Sequence, residues 1–344
     1  MQAIPMKQKR FRLIMFVLAC ILLIAVGTVA GFYTPASFDT NPAEQLFTIK
    51  RGTSARVIAA DLKAAGLIRF EYPAYLYFRL VNKPIKAGTY KLSPAWSVHT
   101  LCAYLQAGKQ ELIKVTVPEG LTLSKTAAIL EDRQVIAADD FLAAAKNTAL
   151  LQSYGIPGSS AEGFLFPDTY FFSYDETAAR VITVMLDNFF SKTAGIPHFP
   201  DDPAQRYEAV ILASIIEREY RVPEEAVKIA GVFSNRLQIG MGLQSCATVE
   251  YILTEIQHKP HPDRLLKRDL EIDHPYNTYK WRGLPPGPIS NPGMTALYAA
   301  CNPEKSSYLY FRLEDAEAGT HIFTKNLTEH AKAGSIILKR AAGR

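Results

Sequence analysis

Four cysteines in 344 residues are too few to organise this chain. Cys20 lies in an apolar run near the start, and Cys102, Cys246 and Cys301 follow it. Three cysteines outside that run cannot all pair with one another, and no CxxC spacing occurs. A disulfide framework and a cysteine zinc site are therefore not expected. Cys102 and Cys301 read as small buried thiols. Internal repeats and low-complexity tracts are also missing. Charged residues are modest at 21 % against 48 % hydrophobic, a balance that provides for a packed core and excludes global disorder. Acidic residues are absent from the first 12 positions, which hold Lys7, Lys9, Arg10 and Arg12. The net charge is +5, yet without those four cations 34 basic residues face 33 acidic ones. The excess is local, so no basic groove for a phosphate backbone is left and no nucleic-acid partner is expected.

The cations precede LIMFVLACILLIAVGTVAGF at 13–32, a run of 20 uncharged residues. At about 1.5 Å per residue it spans roughly 30 Å, the hydrocarbon thickness of a bilayer. Cations before it, with Asp39 and Glu44 after it, place the N-terminus in the cytoplasm. Residues 1–12 then form a cytoplasmic basic segment and 13–33 a single transmembrane anchor, with the remainder outside the inner membrane. The run is long for a signal peptide, and Thr28-Val29-Ala30-Gly31 is a poor cleavage site, so the anchor is expected to be retained. No later segment is long and apolar enough to span.

The fold class expected of the remainder is α+β. Residues 45–108 read as strand, helix, helix, strand, helix, with Val57, Ile58 and Leu62 at helical spacing. This small α+β module, with its GTYKLSP segment, resembles the LysM-like region of one family of cell-wall enzymes. Residues 112–340 form a larger mixed α+β domain. It opens on a strand at 112–117, and Thr122 caps a helix to about Arg133. GFLFPDTYFF at 163–172 reads as a buried turn and strand. Asn291-Pro292 reads as the start of a helix through Cys301. A hairpin at 308–324 and a closing helix at 326–340 follow.

The helix expected at 207–220, YEAVILASIIEREY, is apolar almost all round and should be buried. Glu217 projects with Val210 and Ala213, near Tyr220. Desolvation raises a carboxyl's pKa, as a general acid at neutral pH requires. A structural Glu paired with Arg218 or Arg236 fits the same helix equally well. Glu219 lies about 200° away on an ideal helix, badly placed to flank one bond with Glu217. It is given a supporting role.

The stretch HPYNTYKWRGLPPGPISNPG at 274–293 is long and irregular, which in a compact domain is usually functional or disordered; its aromatic residues argue for order, and a well-packed loop held by proline is the alternative. Tyr276, Tyr279 and Trp281 beside Asn277 and Thr278 suit sugar rings, with their C–H faces and hydroxyl edges. His258, His261, His274, Asp263 and Asp273 invite a metal reading, but the spacing is not that of HExxH on a helix, so no metal is expected. His321 reads as a buried, hydrogen-bonded histidine.

Together these segments resemble the endolytic murein transglycosylase (YceG-like) family. The matching pieces are the single anchor, PEG at 118–120, EGFLFPDTY at 162–170, LASIIEREY at 212–220, the NRL, GM and LQS elements at 235–245, and the stretch at 276–293. Where the family commonly has Asp-Pro after LQS, this chain has Cys246-Ala247. The resemblance implies an enzyme of the cell wall that needs no cofactor. It implies lytic cleavage of the β-1,4 bond between N-acetylmuramic acid and N-acetylglucosamine within a glycan strand, leaving a 1,6-anhydro end. It makes Glu217 the catalytic residue, protonating the leaving oxygen and then taking the proton of the 6-hydroxyl. Gln244, Ser245, Asn277 and Tyr279 become candidates for holding the sugars, with Glu219 beside them, and peptidoglycan synthases become expected partners. Two alternatives stay open. One is a hydrolase using Glu217 with Asp263 or Asp273. The other is a non-enzymatic scaffold that binds glycan and recruits synthases.

Overall fold

The computed structural model describes residues 6–39, 42–174 and 176–342, with side chains over 10–39, 42–174 and 176–334. The side chains of Lys7 and Lys9, and those of the closing helix beyond 334, lie outside that description. The chain forms two compact units, Met1–Ile113 with Ser173–Asp175, and Lys114–Phe172 with Glu176–Arg344.

The first unit runs α1 (Met6–Tyr33), β1 (Gln45–Ile49), α2 (Ala55–Ala64), α3 (Glu71–Val81), β2 (Gly88–Leu92) and α4 (Val98–Ala107). Within α1, Arg10–Tyr33 has a mean hydropathy of 2.9 and is long and apolar enough to cross a membrane. That is compatible with a single-pass membrane protein. Ser54 and Ser97 cap α2 and α4 by accepting the amides of Val57 and Thr100. Gly108, at φ 66°, ends α4 in the left-handed conformation that glycine adopts freely. β1 and β2 pair antiparallel with Phe47 opposite Tyr90. Their inner face packs on Ile58, Leu62, Leu101, Cys102 and Leu105.

The second unit contains β3 (Ile113–Thr116), α5 (Leu123–Asp132), α6 (Ala138–Ala144), α7 (Thr148–Ser153), β4 (Thr169–Phe172), α8 (Ala178–Thr193), α9 (Pro203–Ile216), α10 (Ala226–Gln238), α11 (Cys246–Tyr251), α12 (Met294–Cys301), β5 (Tyr310–Asp315), β6 (Thr320–Thr324) and α13 (Leu327–Ala342). Among the described residues the strands form three two-stranded sheets, β1–β2, β3–β4 and β5–β6, so the fold is α+β.

Helix α9 is the spine of this unit. Asp202 accepts the amides of Ala204 and Gln205, and Pro203 occupies the first turn, where its missing N–H costs nothing. Val210, Ile211, Ala213, Ile215 and Ile216 are buried. Each large apolar side chain among them stabilises by about 1.5–3 kcal/mol. The helix packs against α10 and α12. It ends at Ile216, four residues before the expected Tyr220. From there the amides of Arg218 and Glu219 bond back three residues, to Ile215 and Ile216, each at 3.0 Å, and the chain tightens before Pro223. The start of α12 also differs from expectation. Its N-cap is Gly293, because the Asn291 side chain is committed elsewhere.

Candidate active site

Glu217 sits at the C-cap of α9, with helical φ and ψ and its amide bonded to the Ala213 carbonyl at 2.8 Å. Three segments distant in sequence meet around it. Ser214, buried in α9, accepts the amide of Ile289 at 3.0 Å, and its carbonyl accepts the Ser290 hydroxyl at 3.1 Å. Asn291 Oδ1 accepts the amides of Gly163 and Leu165, at 2.9 and 3.1 Å, and its Nδ2 donates to the Leu121 carbonyl at 3.0 Å. The Gly120 amide returns a bond to the Asn291 carbonyl at 2.9 Å. The motifs at 118–121, 162–165 and 289–293 are thus tied to one another at the end of α9. Gly163, at φ 85°, is required there. A Cβ would strain the backbone and would meet Pro288 at 2.6 Å.

The Glu217 carboxyl is half-buried. Its Oε2 accepts the Gly293 amide at 2.9 Å, and the Tyr220 hydroxyl lies 3.4 Å from both oxygens. Burial pushes it up to about 7; the charge of Glu119 adds to the rise, while the Gly293 amide, Tyr220 and Arg218 oppose it. No salt bridge to Glu217 forms among the described residues. Arg218 pairs with Glu250 at 3.1 Å, and Arg236 donates to the carbonyls of Leu309 and Leu243. The ion-paired structural Glu weighed from the sequence is therefore not what forms.

Glu219 has partners of its own, apart from those of Glu217. Its Oε1 accepts the Ser245 hydroxyl at 2.5 Å, and burial pushes this carboxyl too up to about 7. Ser245 is itself buried and its hydroxyl is taken by Glu219, so it anchors the loop more than it faces solvent. Asn277 needs a correction. It is fully buried; its Nδ2 donates to the carbonyls of Leu270 and Ile272, and its Oδ1 accepts the Tyr279 amide. With its amide consumed by backbone, it shapes the loop and has nothing left for a sugar. Gln244 is exposed and holds a left-handed φ of 51°, which turns its side chain outward while its amide donates to the Thr278 carbonyl at 3.1 Å. Tyr279 reaches Cys246 Sγ with its hydroxyl at 3.1 Å. Burial pushes the Cys246 thiol up from 9.0, away from thiolate reactivity.

Asp263 and Asp273 are exposed. The carboxylate acting on Glu217 is Glu119, which abuts Gly293 so closely that a Cβ there would overlap it. The signal for it in the sequence is the PEG motif at 118–120, whose Glu carries no role by pattern alone. Among the described residues no three His, Cys, Asp or Glu side chains gather to hold a metal. His261 lies 3.7 Å from Glu250, and His274 Nδ1 accepts the Tyr276 amide. His321 pairs with Glu225 at 2.7 Å.

A carboxyl kept near neutrality at pH 7, oriented by a backbone amide and not spent on a cation, is the equipment of an acid–base enzyme. The chain belongs to the YceG-like family, whose model matches residues 47–335. It is 34 % identical over 307 residues to a Bacillus subtilis protein named endolytic murein transglycosylase, covering 83 % of this chain and 82 % of that one. A Streptococcus pneumoniae protein of the same name is 28 % identical over 353 residues, and the match takes in 92 % of this chain but 64 % of its relative. The crystal structure of a YceG-like protein from Listeria monocytogenes superposes with a TM-score of 0.56 at 32 % identity, over 85 % of this chain and 99 % of that one.

Proposed function

We propose that this protein is a membrane-anchored lytic transglycosylase that cleaves peptidoglycan strands internally, with Glu217 as its acid and base. The observation that carries the reading is the Glu217 carboxyl itself, pushed up to about 7 and held by the Gly293 amide. Because Oε2 accepts that amide, Oε1 carries the proton. It protonates the oxygen leaving C1 of N-acetylmuramic acid, and the C1–O bond breaks. The muramic 6-hydroxyl oxygen bonds to C1 and returns its proton to Glu217. The products are a 1,6-anhydro end and a free 4-hydroxyl on N-acetylglucosamine. No water enters, and the intramolecular nucleophile removes the need for a second reacting carboxylate.

Gln244 and Tyr279 are assigned to the sugars. Residues 45–108 serve as a LysM-like glycan-binding module, a reading supported by the strand, two helices and strand of the first unit. The apolar helix anchors the protein in the inner membrane with its N-terminus in the cytoplasm, as Arg10 and Arg12 in its first turns favour. The relatives' names bring peptidoglycan as substrate, and termination of nascent strands makes wall synthases the partners.

Digestion of purified sacculi followed by mass spectrometry tests the reading. The wild type is expected to leave anhydro ends, and Glu217→Gln to lose about 10²–10⁴ of the rate while keeping the fold. A water-added reducing end would assign a hydrolase instead. Undiminished anhydro product from the variant would remove Glu217 from the chemistry. No product of either kind, with full complementation by the variant, would leave a scaffold.

A further inference from the structure

A cleft of about 660 Å³ is lined by Arg218, the residue after Glu217, by Gln244 and Tyr279, and by residues of the β5–β6 hairpin and the first turn of α13. This is the size of a small-ligand site. Its charge is lopsided. Arg221 from the turn after α9 and Arg312 from β5 both line it, and neither has a carboxylate within 4.0 Å among the described residues. Arg236, buried in the wall, is held by backbone carbonyls and adds a fixed positive charge. Glu219 is the acid among the described residues that lines the cleft, and Glu225 lies behind His321. Glu225 pairs with His321, and Glu219 is bonded to Ser245 and driven toward its neutral form. His330 also lines the cleft, with a buried Nδ1 that has no hydrogen-bond partner, and burial together with Arg312 and Arg236 holds its pKa below 6.5. Two guanidinium forks and a neutral imidazole facing one cavity are complementary to a carboxylate, which Arg binds in two-pronged fashion.

We propose that this cleft binds a carboxylate of the stem peptide carried by the glycan strand. The inference rests on the proposed function, because only a peptidoglycan strand presents such a peptide next to the bond at Glu217. A strand whose glycosidic oxygen meets Glu217 lays the neighbouring peptide along Arg221 and Arg312. The enzyme thereby distinguishes strands that bear peptides from strands that have been stripped.

The test uses the full chain in detergent with lipid-free glycan strands, either bearing stem peptides or stripped of them by an amidase. The wild type is expected to favour the peptide-bearing strand in kcat/KM. The double variant Arg221→Gln/Arg312→Gln is expected to lower that preference at least tenfold, about 1.4 kcal/mol. Arg221→Lys/Arg312→Lys should recover part of it, because charge returns without the fork. An unchanged preference in the Gln variant, or no preference in the wild type, overturns the proposal. A second arm is independent of turnover. Free stem peptide is titrated by calorimetry into Glu217→Gln, with and without the arginine substitutions. Binding that the substitutions weaken tenfold supports the peptide site even if no strand is cleaved, an outcome that would sink the transglycosylase reading alone. Absence of peptide binding overturns the site.

Discussion

The amide of Gly293 donates to Oε2 of Glu217 at 2.9 Å, while the Cα of the same glycine faces the Glu119 carboxylate. One residue therefore both orients the proposed acid and seats a charge that adds to the effect of burial in raising its pKa. Of the two Glu217 oxygens, only Oε1 is left to deliver a proton.

Activity is expected to fall as pH rises through about 7, where Glu217 loses its proton. Glu119 raises that pKa, so Glu119→Gln lowers it and moves the falling limb to more acid pH. The pH dependence of kcat/KM for the two proteins measures this. A limb that stays in place would show that Glu119 does not tune the acid.

Gly293 has φ −84° and ψ −178°, values open to alanine, so Gly293→Ala carries no backbone penalty. Its added methyl overlaps Glu119, and displacement of the amide is expected to cost roughly 10–100-fold in kcat. Glu119→Ala in the same protein removes the collision. A double-mutant cycle on thermal stability should then show the two changes to be non-additive.

Ser245→Ala leaves an enclosed Glu219 carboxyl without its donor and should cost about 1–3 kcal/mol in denaturant unfolding. Glu219→Gln keeps an acceptor for Ser245 and should retain far more anhydro product than Glu217→Gln. Equal loss in the two variants would give Glu219 a part in the reaction.

Glu162, Glu217 and Glu219 all have folded-state pKa values above their ordinary 4.5, at about 8, 7 and 7. The folded protein then holds protons that the unfolded chain has released. Stability is expected to be greatest near pH 4.5 on this account and to decline as pH rises to about 8, by up to about 1.4 kcal/mol per pH unit for each group. Glu162→Gln should flatten this decline, because the pKa of Glu162 is raised furthest, chiefly by burial. Melting temperatures across that range, in one detergent, check the sign.

The elements with ordinary signals were legible in the sequence. Thr122 stands where a cap was expected, and the hairpin strands fall within a few residues of their expected spans. Burial of Glu217 followed from apolar neighbours at helical spacing. What local pattern could not reveal was competition between distant segments. Asn291-Pro292 has the form of a helix start, yet Asn291 is worth more as a clamp on Gly163, Leu165 and Leu121 than as a cap. Asn277 looked like a sugar ligand because its residue type suits one, and only the folded loop shows that its amide is consumed. Nothing local marks Glu119, because its neighbour Gly293 lies far along the chain.

The meeting of 118–121, 162–165 and 289–293 at one helix end also bears on how such a protein is made. Synthesis from the N-terminus makes Glu217 well before Gly293. Until that glycine arrives, the carboxyl lacks the amide that orients it, and the glycines and prolines around it have nothing to close against. The arrangement around this carboxyl is therefore incomplete until synthesis has passed residue 293.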